Sequence, residues 1–224
     1  MFSNLPLRGM VSSIGSLVRM PTRPISSPHF FSLHHGDKLE VVLARPYSAF
    51  IEVSYKDKMD SLLEKLLIDS PDISISLTTH SCFNHHVAQV ISQTISNRFN
   101  LLDEQIIKIQ TCLQEAIMNS IIHANLGMDG KFKSVSSFDE YQDEINQRME
   151  SDDYKYKRIN INIWDGHNRL RISVEDEGSG FLMPENDNDD NVLPHGRGLM
   201  FIRMLSDRAW VADDDKTLNM LFNY

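Results

Sequence analysis

Polar residues recur every four positions within one apolar-periodic stretch of the chain. Glu115, Asn119 and His123 form this polar stripe, and the opposite side carries apolar residues: Ile106, Leu113, Ile117 and Ile121. At 3.6 residues per turn the two sets fall on opposite sides of a helix, so one face can pack in a core. A carboxylate one turn before a carboxamide can polarise a hydroxyl or water while the amide oxygen ligates Mg²⁺. An ordinary surface helix shows the same pattern, so the stripe alone does not establish a site.

A second segment combines a strand with a glycine-rich turn. Residues 169–175 alternate apolar and polar side chains and run directly into Asp176, Gly178 and Gly180. This pattern predicts a half-buried strand that ends in a carboxylate. An ionised Asp is an acceptor for an exocyclic amine such as that of adenine, and glycines permit the close approach of a ligand. The alternative interpretation is a plain glycine-rich turn after a strand.

A third segment opens with two glycines. Gly196 and Gly198 precede an apolar-periodic stretch whose inner side contains Leu199, Ile202 and Leu205. A glycine-rich helix start can bind an anion, because its free N–H groups and the positive end of the helix point at phosphate. One such start is a weak signal by itself. The order of the three segments in the chain makes coincidence a poor explanation, and together they suggest a nucleotide pocket.

The three segments resemble the motifs of the GHKL ATPase superfamily, which includes gyrase and the histidine kinases. Within it, the chain is most similar to the bacterial anti-sigma-factor serine/threonine kinases. The segment from Glu115 is similar to the family's N box, and the other two are similar to its glycine boxes. The resemblance covers about residues 73–224.

This resemblance implies ATP and Mg²⁺ as cofactors and assigns roles to the motif residues. Glu115 stands where the family has its general base, and Asn119 where it has the magnesium ligand. Asp176 stands where the family has its adenine-binding carboxylate. The remaining ATP-binding candidates, taken over from the same motifs, are His123, Gly178, Gly180, Gly196, Arg197, Gly198 and Leu199. Gly178 and Gly180 would hinge an ATP lid at about residues 181–197, which Gly196, Gly198 and Leu199 would close onto the phosphates.

The implied fold class is α/β, an α+β two-layer sandwich of the Bergerat ATP-binding type. Its single mixed, largely antiparallel sheet is covered on one face by helices. We expect a disordered tail (1–36), an extension (37–72) and the ATP-binding domain (73–224), which has an insertion at 126–157. The pattern predicts strands at 39–43, 49–55, 73–78, 158–164, 169–175, 209–212 and 217–222. It predicts helices at 59–68, at 83–99, from 103 to 123 or 124, and at 198–207.

Composition excludes several classes of protein. The net charge of −9 disfavours binding to nucleic acid or to an anionic membrane. No apolar run reaches the roughly 18 residues of a membrane span. Cys82 and Cys112 lie far apart with no paired cysteine or histidine cluster beside them, so we expect reduced thiols and neither a zinc site nor a disulfide framework.

The first 36 residues differ from the rest of the chain. They contain no Asp or Glu, three Arg and many Ser and Pro. This composition is typical of a mobile terminus that contributes little to a core, and also of an organelle-targeting segment. The expected location is the cytoplasm, with organelle targeting through residues 1–36 as the alternative.

The residue at position 115 bears on the kind of kinase. Sensor histidine kinases usually have Asn there, whereas this chain has Glu115. The resemblance therefore favours a serine/threonine kinase that phosphorylates or sequesters a protein partner, either a sigma factor or an antagonist-type regulator. A homodimer is also expected. Two alternatives stay open: an inactive binding module for which ATP is only a signal, and a histidine-kinase-like domain that acts on a separate phosphotransfer protein.

Overall fold

One mixed sheet organises the part of the chain that the computed structural model describes. That part comprises residues 29–33, 37–45, 47–54, 71–99, 101–128, 137–166, 168–180 and 197–224. The strands are β1 (His29–Phe31), β2 (Ala49–Glu52), β3 (Ile73–Thr78), β4 (Arg158–Asp165), β5 (Arg169–Asp176), β6 (Arg208–Val211) and β7 (Thr217–Asn223). The helices are α1 (Leu39–Leu43), α2 (Thr79–Asn84), α3 (Val87–Phe99), α4 (Asp103–Asn119), α5 (Phe138–Glu150), α6 (Asp152–Lys155) and α7 (Arg197–Leu205).

The seven strands lie in the order β1-β2-β3-β4-β5-β7-β6. β1, β2 and β3 are parallel to one another, and every other neighbouring pair is antiparallel. Parallel neighbours need a crossover connection, which α1 supplies between β1 and β2, whereas β4 and β5 are joined by a short hairpin turn. The predicted mixed, largely antiparallel sheet is confirmed.

The core lies on one face of this sheet. Alternate residues of the central strands are fully buried there: Ile159, Ile161, Ile163, Leu170, Ile172, Val174, Leu218 and Met220. Helices α3 and α4 contribute Ile91, Ile95, Ile109 and Leu113 to the same cluster. On the other face, β3 and β4 carry polar residues, with hydrogen bonds across strands from Ser74 Oγ to Asn162 Oδ1 (2.6 Å) and from Ser76 Oγ to Asn160 Oδ1 (2.7 Å). Burial on one face explains the alternating sequence pattern.

Two predicted elements that precede α4 differ in the structure. Residues 39–43 were expected to form a strand, but they form helix α1, in which Leu39, Val42 and Leu43 are buried. The spacing of these three residues is helical, and packing against the core overrides the β propensity of the valines. The predicted helix 83–99 is divided into α2 and α3 by His85 and His86, which are exposed.

The amino-terminal boundary also differs from the prediction. His29–Phe31 were assigned to a disordered tail but form strand β1 beside β2. Phe31 is 4% exposed and belongs to the core, and its carbonyl accepts a hydrogen bond from Val53 N at 2.7 Å. The tail prediction is therefore wrong for residues 29–33. Residues 1–28 and the predicted helix at 59–68 lie outside the described residues.

The predicted insertion contains helices α5 and α6. Ser137 caps α5: its hydroxyl accepts a hydrogen bond from Glu140 N, and the Glu140 carboxylate accepts one from Ser137 N. Arg148, near the end of α5, donates hydrogen bonds to the carbonyls of Leu126 (2.5 Å) and Gly127 (3.1 Å). These contacts attach α5 to the start of the insertion, directly after the segment that follows α4.

Two expectations from composition can be compared with the described residues. Cys82 and Cys112 are both free and buried, and burial raises the pKa of Cys112 to about 12. Among the helices that the structure describes, none combines the length and the apolar character that crossing a membrane requires.

The role of β1 can be tested with two neighbouring phenylalanines. Phe31→Ala should lower the free energy of unfolding by about 3 kcal/mol, because it removes a buried aromatic side chain. Phe30→Ala is the matched control, since Phe30 is 40% exposed. We expect the control to change stability by about 0.5 kcal/mol or less. Equal urea midpoints for the two variants would show that β1 does not contribute to the core.

Candidate functional site

Helix α4 positions the first group of candidate residues. Its apolar side is buried in the core through Ile109, Leu113 and Ala116, which fixes the rotation of the helix about its axis. Glu115 and Asn119 lie on the same side, one turn apart, and are half-buried. The structure thus places the predicted base and the predicted magnesium ligand next to each other.

The helix changes character immediately after Asn119. Residues Ser120–Asn125 form a π-helical turn, in which Leu126 N donates to Ile121 O at 2.9 Å. The prediction of one continuous α-helix through residue 123 or 124 is therefore wrong. The side chains of Asn125 and Leu126 are fully buried at the end of this turn. π-Helical turns are rare and occur frequently at functional sites.

His123 lies within the π-helical turn. It is half-buried, and its Nδ1 is 2.9 Å from the carbonyl oxygen of Met128. The wider turn takes His123 off the regular four-residue stripe predicted for it. Its assignment to ATP binding stays a prediction.

Asp176 ends strand β5 and points to the same face of the sheet as the core residues. The residue is 1% exposed, and its Oδ1 accepts a hydrogen bond from Gly178 N at 2.9 Å. Its Oδ2 is buried and has no hydrogen-bond partner among the described residues. Burial raises the pKa of this carboxyl to about 6, although the N–H groups of Gly178 and Gly180 and the nearby Lys216 charge favour the ionised form. A buried acceptor with no partner is suited to a donor on a ligand.

Gly178 and Gly180 follow Asp176 in a closely packed turn. A Cβ on Gly178 would collide with the backbone of Ala124 and Asn125, so the turn packs directly on the π-helical turn. Gly180 has φ +87°, and a Cβ there would collide with the carbonyl oxygen of Asp215. Both positions therefore require glycine, one for space and the other for both space and backbone conformation.

The third motif meets the first at the start of α7. A Cβ on Gly198 would lie 2.5 Å from Glu115 Oε2 and 3.3 Å from Asn119 Nδ2, so the beginning of α7 rests on these two side chains. Leu199 and Ile202 anchor the helix in the core, at 9% and 0% exposure. Arg197 is the first residue of α7. Gly196 and the lid residues 181–196 lie outside the described residues.

The residues present fit a nucleotide with a bound magnesium ion. Asp176 offers an unpartnered acceptor for a base amine, and the N–H groups at the start of α7 can bind phosphate oxygens. The described ranges contain no group of three or more His, Cys, Asp or Glu that could hold a metal ion. Mg²⁺ beside Asn119 would therefore take its other oxygen ligands from phosphates and water, as is usual for this ion.

Two residues near the site were not predicted from the sequence. Lys216 favours the ionised form of Asp176, and its carbonyl oxygen accepts a hydrogen bond from Asp176 N at 3.3 Å. Asn125 bonds to the turn after Asp176, with its side chain accepting from Glu177 N at 3.1 Å. The only sequence signal for Asn125 was a polar residue directly after an apolar-periodic helix. No sequence signal indicated Lys216, because a lysine after three aspartates is typical of an exposed turn.

Comparison with known proteins supports the family suggested by the motifs. Residues 84–222, which contain all three motifs, match the family model described as histidine kinase-like ATPase domain. No curated protein matches the chain significantly. The match covers more than half of the chain and agrees with the mixed sheet and its helical layer. The chain therefore belongs to the family of histidine kinase-like ATPase domains.

Proposed function

We propose that this protein is a Mg²⁺- and ATP-dependent regulatory kinase of the anti-sigma-factor serine/threonine kinase type. It would phosphorylate or sequester a protein partner, either a sigma factor or an antagonist-type regulator. The observation that supports this most directly is the placement of Glu115 and Asn119 against the start of α7. A potential proton acceptor and a potential metal ligand thereby adjoin a helix end suited to phosphate.

Each residue has a distinct role in this proposal. Glu115 accepts the proton of the attacking hydroxyl, and Asn119 supplies an oxygen ligand to the cation. The N–H groups at the start of α7 orient phosphate oxygens, and Asp176 accepts the hydrogen bond of the adenine amine. Magnesium supplies charge neutralisation when it is bound. Phosphoryl transfer depends mainly on positioning and charge stabilisation, which these groups can provide.

The carboxylate at position 115 favours a serine/threonine kinase over a sensor histidine kinase. The first alternative is a binding module that takes up ATP without turnover, and the second is a histidine-kinase-like domain that acts on a separate phosphotransfer protein. The three differ in the product, which would be an acid-stable phosphoserine, no phosphoprotein or an acid-labile phosphohistidine. A protein partner, a homodimeric state and a cytoplasmic location complete the proposal.

The base-binding role of Asp176 can be tested by calorimetry. Asp176→Asn should abolish measurable ATP binding, because it replaces one carboxylate acceptor with an amide donor. Asp213→Asn is the matched control, since Asp213 is an exposed carboxylate in the turn between β6 and β7. If Asp176→Asn binds ATP within a factor of about three of the parent, which is less than 1 kcal/mol, the assignment is wrong.

The pKa of Asp176 predicts a pH dependence for base binding. With the pKa near 6, the carboxylate is mostly ionised at pH 7 and mostly protonated at pH 5. Protonation of the unpartnered Oδ2 turns this oxygen into a donor that faces the donor of the adenine amine, so the affinity for adenosine should fall by about tenfold as the pH drops from 7 to 5. Adenosine is the ligand of choice because it has no phosphate that titrates in this range. An affinity independent of pH would exclude Asp176 as the titrating acceptor.

Phosphoryl transfer is tested with two substitutions on one helix. Glu115→Gln keeps the size of the side chain but removes the base, so Mg²⁺-ATP should still bind while turnover falls by roughly 10²–10⁴-fold. Asn119→Ala should instead weaken binding of Mg²⁺-ATP, because a metal ligand is lost. Radiolabelled ATP with candidate partners measures transfer, and calorimetry measures binding.

Glu104→Gln is the control for these substitutions, since Glu104 is an exposed carboxylate in the first turn of the same helix. The control should bind and turn over ATP like the parent. Unchanged turnover in Glu115→Gln would refute the catalytic role of Glu115. ATP binding by the parent without turnover in the presence of any candidate partner would favour the binding module, and acid-labile phosphate on a partner would favour the histidine-kinase-like alternative.

A further inference from the structure

Asn125 connects three separate parts of the fold through its side chain. It is 0% exposed, and its Nδ2 donates to Thr79 Oγ1 at 2.8 Å and to the carbonyl oxygen of Arg158 at 3.2 Å. Its Oδ1 accepts from Glu177 N at 3.1 Å. The orientation of the amide follows from its partners, because a backbone N–H can only donate and a backbone carbonyl can only accept. One side chain thus joins the end of the π-helical turn to α2, β4 and the turn after β5.

The turn after β5 is held to residue 125 in a second way. Gly178 packs so closely on the backbone of Ala124 and Asn125 that no Cβ fits between them. The N–H of the same glycine donates to Asp176 Oδ1. The side chain of Glu177 also accepts a hydrogen bond from Arg158 N at 2.8 Å. Each of the two residues after Asp176 therefore contacts Asn125 directly.

We propose that Asn125 is a positioning residue for base recognition, acting through the turn that carries Asp176. This inference rests on the proposed function, in which Asp176 binds the adenine amine. The turn contains two glycines and would sample other conformations without a fixed partner. Asn125 sets its position relative to α4, the helix that bears Glu115 and Asn119. It thereby aligns the base site with the phosphate site.

Loss of the Asn125 side chain should weaken binding of the base more than binding of the phosphates. Asn125→Ala leaves the Glu177 N–H without its acceptor, so the turn is expected to move toward other partners or water. Asp176 moves with it because Asp176 is joined to Gly178. The start of α7 rests on Glu115 and Asn119 rather than on this turn. The affinity of the start of α7 for phosphate should therefore persist in Asn125→Ala.

The experiment compares adenosine with Mg²⁺-tripolyphosphate as probes for the full-length protein. For Asn125→Ala we expect adenosine affinity to fall at least tenfold, while tripolyphosphate affinity, measured by competition with a fluorescent ATP analogue, changes less than about threefold. Thr79→Val is the matched control. It removes a buried partner of Asn125 Nδ2 and keeps the bond from Glu177 N to Asn125 Oδ1, so it should lower thermal stability without changing either affinity.

The outcomes separate the inference from the proposed function. Adenosine binding by Asn125→Ala within threefold of the parent would overturn the inference, as would an equal loss of both probes, which indicates general destabilisation. If the alanine variant does not fold, Asn125→Leu, which fills a similar volume without hydrogen bonds, carries the same expectation. A parent protein that binds neither adenosine nor ATP would refute the proposed function itself.

Discussion

The packing of α4 against the sheet is the constraint on which the rest of the site depends. Ile109, Leu113 and Ala116 are completely buried, so the helix can neither rotate nor slide without exposing apolar surface or opening cavities. This packing leaves Glu115 and Asn119 at the seam with α7. It also brings the end of the helix against the turn after β5. The helix thereby fixes the position of the start of α7 relative to the turn after β5.

A buried polar network extends from this site to the amino-terminal strands. Glu52, on β2, accepts hydrogen bonds from Thr78 N (2.8 Å) and Ser81 Oγ (2.5 Å), and its carbonyl oxygen accepts one from Arg158 at 2.7 Å. Arg158 in turn contacts Asn125 through its carbonyl oxygen. Glu52 lies outside the matched range 84–222. Because buried charges are tolerated only when they are well hydrogen-bonded, this network makes β2 an integral part of the domain rather than an appendage.

The local patterns predicted the central elements well and the amino-terminal ones poorly. Strands β3, β4, β5 and β7 and helix α4 have strong periodicity because each turns an apolar face to the core. The predicted strands agree closely with the structure, and the predicted helix begins at Asp103 as expected but is α-helical only to Asn119. The short segments at 29–31 and 39–43 have too few residues for the period to identify their conformation. Neighbouring elements decided the conformation of both segments. Residues 29–31 form a strand because they pair with β2, and residues 39–43 form a helix because three of them pack in the core.

The sequence by itself determined the chemical inventory of the site, since the spacing of Glu115, Asn119 and Asp176 and the glycines around them follow from short local motifs. Only the tertiary structure decided how these groups meet. The contact of Gly198 with Glu115 and the bonds of Asn125 join residues far apart in the chain, and it is the packing around Asp176 that buries its Oδ2 without a partner. Such contacts depend on how helices and strands pack. Periodicity within one segment reports only which face of that segment is buried.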